Sequence, residues 1–184
     1  AGKSSLLNAL THANVTVRNQ PFSTLDPVTR RLVLPDGTRL LLTDTVGFIQ
    51  KLPKSLIASF RATLEELNEA DVLLHVVDIS HPNAGEHVDV VEKILDDLGI
   101  DEIPRILVFN KADLINQEFA SNFREQEQQL AVFTSAITKN GFGDLLDMIQ
   151  LVLEEQTSFI RQYATRNDSD SSGDPRLKLL DLIG

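Results

Sequence analysis

The chain has 184 residues, 42% of them hydrophobic, which suffices for one ordinary core with a short appendage. Its formal net charge of −10 excludes broad non-specific binding of nucleic acid by the whole surface, and its lack of cysteine excludes a disulfide framework or a thiolate metal site. No apolar run approaches the roughly 20 residues needed to span a bilayer, so the chain reads as soluble.

Residues 4–12 are predicted to form a helix with Leu6, Leu7 and Leu10 along one face. The helix emerges from Ala1-Gly2-Lys3-Ser4-Ser5, the second half of the phosphate-binding pattern G-x-x-x-x-G-K-[ST]. In such a loop the backbone N–H groups of Gly2 to Ser5 face phosphate oxygens, aided by the helix dipole. Lys3 reaches the β- and γ-phosphates, and Ser4 ligates Mg2+. A chain that begins inside this motif, with Met148 as its single methionine, reads as a fragment lacking the strand before the loop. That strand is central in a doubly wound sheet, so weak nucleotide binding by these residues alone is expected.

Residues 28–34 alternate as a strand, Pro35-Asp36-Gly37 is a hairpin turn, and residues 39–43 return as a second strand. Asp44-Thr45-Val46-Gly47 follows directly. An aspartate at the C-terminal end of a buried strand lies where such sheets bind ligands and can hold Mg2+. Gly47 lets the backbone approach a γ-phosphate closely enough to donate its N–H. A second Mg2+ ligand is expected from a threonine in the loop between these motifs, Thr24 or Thr29.

A helix is predicted over residues 55–69, a buried strand over 71–77 and a helix over 85–98. The pattern repeats as a strand over 103–109, a helix over 117–129, a short strand over 131–134 and a helix over 142–155. After the second of these strands comes Asn110-Lys111-Ala112-Asp113. The Asp113 carboxylate can accept both N1–H and N2–H of guanine, a pairing adenine cannot make. Asn110 braces neighbouring loops or reaches the base, and the stem of Lys111 covers the ring. Thr134-Ser135-Ala136 follows the last strand, where the N–H of Ala136 would donate to guanine O6 and Ser135 lines the same loop.

Residues 1–156 are thus read as one α/β domain of the P-loop NTPase type, a mostly parallel doubly wound sheet flanked by helices. Residues 157–184 are read as linker and partly disordered tail. Within them the acidic, serine-rich run 167–174 cannot bury enough to order itself, and 175–184 forms a brief amphipathic helix or a frayed end. The four histidines fit no metal spacing, and His75 reads as a core imidazole.

The segments FSTLDPVTRRLVLPDG and DTVGFIQKLPKSLIASFRATLEE closely resemble the HflX family of ribosome-associated GTPases, as does the chain up to about residue 155. The resemblance implies GTP and GDP as nucleotides, Mg2+ as cofactor, Thr24 as the switch threonine, and hydrolysis coupled to the large ribosomal subunit in ribosome splitting or recycling. The expected location is the cytoplasm, or an organelle if a transit peptide lies upstream, and the protein is taken as a monomer. Lys3, Thr24 and Gly47 are its catalytic candidates. The family's N-terminal domain is not in this sequence, and the asparagine that holds potassium in related GTPases would precede Ala1, which leaves potassium dependence open. Phe48 stands where Ras-like enzymes carry the water-positioning glutamine, so slow intrinsic hydrolysis is expected. Six basic residues (Arg30, Arg31, Arg39, Lys51, Lys54, Arg61) against two acidic ones between residues 28 and 61 suggest a ribosome-facing patch. The competing readings are an inert interaction module and a P-loop ATPase or kinase.

Overall fold

Helices cover both faces of the sheet over residues 72–78 and 105–110, which is why these two strands are buried runs, whereas the strands over 28–33 and 39–44 alternate. The structure is a computed structural model, and it describes residues 1–11, 28–44, 66–97, 99–100, 102–116, 130–164 and 175–180. In chain order the elements are α1 (Lys3–Thr11), β1 (Val28–Val33), β2 (Arg39–Asp44), β3 (Val72–Asp78), α2 (Ala84–Asp97), β4 (Arg105–Asn110), β5 (Ala131–Phe133), α3 (Phe142–Ala164) and β6 (Arg176–Leu180). Of the helix expected over 55–69, the described part, Glu66–Glu69, is a 3-10 turn, while residues 55–65, the helix expected over 117–129, Thr24, Gly47 and Phe48 lie outside the described residues.

One sheet of six strands runs in the order β1-β2-β6-β3-β4-β5, parallel except for the β1–β2 hairpin. The hairpin closes as its sequence indicates. Gly37 takes φ +89, a left-handed value that suits glycine, and Asp36 accepts bonds from the Thr38 N–H and hydroxyl at 2.9 and 2.8 Å. Alternate residues divide each buried strand between two cores. Leu74, Val76, Ile106 and Val108 meet Leu6, Leu7 and Leu10 of α1 and Leu145, Ile149 and Val152 of α3. Leu73, Val77, Leu107 and Phe109 face the other way, toward Val88, Val91 and Leu95 of α2.

His75 shares that second face and is buried, with Nδ1 3.8 Å from the Glu92 carboxylate, beyond hydrogen-bonding reach. Arg105 reaches the same carboxylate at 2.8 Å. No described helix is long and apolar enough to cross a membrane.

Two elements depart from expectation at the C-terminal end. The last helix runs to Ala164, about two and a half turns beyond the predicted boundary, so residues read as the start of a linker are helical. The segment read as a helix or frayed end is strand β6 instead, and it occupies the central position between β2 and β3. There the backbone can satisfy its polar groups on both sides at once, a gain no isolated five-residue helix offers. Leu41 N–H bonds Pro175 O and Asp71 N–H bonds Arg176 O, each at 2.8 Å, while the Asp71 carboxylate accepts from the Arg176 N–H at 2.6 Å. Leu177 stands in register with Leu42 on one side and Val72 on the other, and all three are fully buried in one core.

Leu177→Asp therefore buries a carboxylate with no partner and is expected to lower stability by about 3 kcal/mol or more in chemical denaturation. A cysteine-free chain also allows a direct trap. Leu41 and Arg176 are register partners on adjacent strands, about 4.8 Å apart in such ladders. The double variant L41C/R176C is expected to close an intramolecular disulfide on mild oxidation, visible as a faster band on a non-reducing gel.

Candidate functional site

Parallel strands bring their C-terminal ends to one edge of the sheet, and Asp44, the Asn110–Asp113 segment and the Thr134–Ala136 segment each end or follow such a strand. Gly2 precedes α1 with φ +86, and a Cβ there would stand 3.0 Å from Asn110 Nδ2, so both conformation and space demand glycine. Lys3 and Ser4 open α1 itself, with Ser5 in its first turn. Lys3 is buried. The Ser4 hydroxyl donates to Asp44 Oδ2 at 2.5 Å, joining the start of α1 to the end of β2 across 40 residues of chain. Asp44 is 1% exposed.

Asn110, at the end of β4 and 1% exposed, is the bracing residue of the site. Its Nδ2 donates to Ala1 O at 3.0 Å, and its Oδ1 accepts from the Ala136 N–H at 3.1 Å and the Thr134 hydroxyl at 3.4 Å. Of the two roles open to it from the sequence, the structure shows this one. Lys111 then turns the chain with left-handed angles, φ 64 and ψ 32, into the short 3-10 turn Ala112–Leu114 that carries Asp113. Asp113 is exposed, and its Oδ1 accepts from the buried Ser135 hydroxyl at 2.5 Å. The Ser135 hydroxyl oxygen in turn accepts from the Thr138 N–H at 3.1 Å.

Two features here escape motif reading. Gly141 has φ +76, and a Cβ would lie 1.8 Å from Phe133 O, so only glycine lets the loop after Ser135 fold back on β5. The Asn140-Gly141 dipeptide is the signal that would have marked this turn. The other is Asp78, at the end of β3, whose Oδ2 accepts from the Lys111 ammonium at 2.5 Å. Partial burial raises the Asp78 pKa, but the bonds from Lys111 and Ser80 and the lysine charge outweigh it and hold the carboxyl below the usual range. A depressed carboxylate contributes its stability above its unfolded pKa and loses it as pH falls through the folded value, so this pair stays intact across neutral pH.

Of the two threonine candidates, Thr29 is a strand residue of β1, opposite Thr43 and sharing a 2.9 Å hydroxyl bond with it. It is thus part of a paired ladder rather than of a switching loop.

The Ser4 hydroxyl and the Asp44 carboxylate converge at one part-buried point, two hard oxygen donors of the kind Mg2+ prefers. Those residues fit the ion.

A family model described as 50S ribosome-binding GTPase matches residues 1–111. Three curated relatives share the name GTPase HflX. That of Caldanaerobacter subterraneus subsp. tengcongensis is 48% identical over 160 residues, covering 87% of this chain and 36% of the relative. That of Alkalihalophilus pseudofirmus is 58% identical over 113 residues, 61% of this chain and 27% of the relative, and that of Chlamydia pneumoniae 45% over 157 residues, 85% and 33%. A crystal structure of an SsGBP variant shares the fold at TM-score 0.62 and 23% identity, over 83% of this chain and 52% of that one. Fold and motif order together define the P-loop GTPase class. The chain belongs to the HflX family within that class. It spans about a third of the length of the curated relatives it matches.

Asn110→Ala strips partners from Ala1 O and the Ala136 N–H in a buried place. A loss of about 2 kcal/mol is expected, measured by denaturant unfolding.

Proposed function

We propose that the chain is the GTP-binding and GTP-hydrolysing part of a protein that works on the large ribosomal subunit, in splitting or recycling ribosomes. The single observation that carries this reading is the Asn110 hub. It ties the phosphate-loop residues at Ala1 to the base-loop residues at Thr134 and Ala136, at the sheet edge where Asp44 and Asp113 also lie. The ribosomal role is supported by the description of the matching family model and by the name of the relatives. A cytoplasmic monomer fits that role.

In this reading the N–H groups of Gly2, Lys3, Ser4 and Ser5 cradle the phosphates at the N-terminus of α1, and the Lys3 ammonium neutralises charge on the transferred group. Ser4, Asp44 and Thr24 would hold Mg2+. That ion, when bound, screens the β- and γ-phosphate oxygens and offsets the charge that develops between them. Gly47 donates its N–H to the γ-phosphate. Asp113 accepts N1–H and N2–H of guanine, its carboxylate fixed by Ser135. The Ala136 N–H, held by Asn110 Oδ1 here, turns to or is shared with the base oxygen on binding. Phe48 supplies no donor or acceptor for a water, so the chain's own rate is slow and a partner orders the loop that follows Gly47.

The weak nucleotide binding expected of these residues rests on an open central strand position, and strand β6 occupies that position here.

The test is GTP hydrolysis with and without large ribosomal subunits, alongside competition of GTP and ATP for a labelled guanine nucleotide. Stimulation by the subunits and displacement by GTP alone are expected; equal displacement by ATP would favour the ATPase or kinase reading. Lys51→Glu with Lys54→Glu is expected to reduce the stimulated rate several-fold through lost charge contacts with rRNA, leaving the unstimulated rate in place.

A further inference from the structure

We propose that Asp78 is a positioning residue of the nucleotide site, anchoring the Lys111 ammonium so that the lysine stem is held in place across the guanine ring. The proposal rests on the guanine-nucleotide reading above and adds to it a residue that none of the site motifs contains.

Strands β3 and β4 run parallel with Asp78 opposite Asn110, so Lys111 is the first residue past Asp78 on the neighbouring strand. Both oxygens of the Asp78 carboxylate are committed. Oδ1 accepts from the Ser80 N–H at 3.1 Å and the Ser80 hydroxyl at 2.6 Å, and Oδ2 accepts from Lys111 Nζ. A carboxylate held on one side cannot swing, so the ammonium it holds on the other has a fixed address.

The lysine is fixed at its other end too. Its backbone is left-handed, a region few non-glycine residues adopt, and the chain on either side of it is bonded. Asn110 O accepts from the Ile79 N–H at 3.1 Å, and the Ala112 N–H donates to Thr134 O at 3.0 Å. A long, flexible side chain pinned at both ends has its stem preset, and a base landing on that stem meets no further ordering cost. An exposed ion pair by itself would mean little for stability. This one matters because of what it orders.

The alternative role for Asp78 is local. Its side chain and carbonyl both accept from the turn that ends β3, including the His81 N–H at 3.1 Å, and a purely structural Asp78 would do only that. A double-mutant cycle separates the two. Fluorescent GDP is titrated into the chain, Asp78→Asn, Lys111→Ala and the double variant, with thermal unfolding recorded for each.

We expect Asp78→Asn to raise the GDP dissociation constant about ten-fold, Lys111→Ala to raise it by a similar or larger factor, and the double variant to sit within about two-fold of Lys111→Ala. Unfolding midpoints should stay within about 3 °C of the parent, and Asp78→Glu should recover part of the lost affinity. Unchanged affinity in Asp78→Asn overturns the proposal, as does a further ten-fold loss on the Lys111→Ala background. If the parent chain binds GDP no better than ADP, the guanine-nucleotide reading falls and this proposal falls with it, a result distinguishable because it precedes any substitution.

Discussion

The two hydrogen-bonded ladders of β6 are what the rest of the structure depends on. The hairpin β1–β2 carries Asp44, and β3, β4 and β5 carry Asp78, the Asn110 segment and the Ser135 loop; between these two groups of strands the backbone connection runs through β6. Parallel strands are poorly placed to close on one another locally, because each needs a crossover, so a missing central strand would leave two partial sheets. With β6 in place, Leu177 continues the apolar row of Leu42 and Val72, and α1 and α3 have an unbroken floor to pack on. The described candidate groups that end or follow β2, β4 and β5 are then held at one edge of a single sheet.

At that edge the connections are made by side chains rather than backbone, and they run between segments far apart in sequence. Ser4 meets Asp44, Asn110 meets Ala1 and Ala136, Asp113 meets Ser135, and Lys111 meets Asp78. Asn110 is the most consequential of these because it is both buried and doubly committed, donating to one loop and accepting from another. An amide can do this where a carboxylate or an ammonium cannot, since it offers both kinds of group. The result is that the segment before α1 and the loop after β5 are coupled mechanically through the end of β4, which is the form preorganisation takes in a site built from loops.

Much of this was legible in the chain. The apolar runs of β3 and β4 and the turn at Gly37 were visible because their determinants are local: burial on both faces requires continuous hydrophobicity, and a left-handed turn requires glycine. The GKS, DTVG, NKAD and TSA segments were legible as a set because their order along the chain matches the order of strand ends in a doubly wound sheet. The C-terminal strand was not legible. Residues 176–180 read equally as a short amphipathic helix, since five residues hold too few periods to separate 3.6 from 2, and only the vacancy between β2 and β3 selects the extended form. Asp78 was missed for a related reason: an aspartate ending a strand looks like any turn residue until the neighbouring strand brings Lys111 beside it.

The sequence by itself determined the fold class, the family and the chemistry on offer, because residue type, spacing and order are properties of the chain alone. Tertiary structure decided which of those residues meet. It settled that Asn110 braces, that Thr29 belongs to a ladder, that Asp78 holds Lys111, and that the central strand comes from the far end of the chain. Each of these turns on distance between residues separated by tens to more than a hundred positions, and such distances exist only once hydrophobic packing has brought the strands into register.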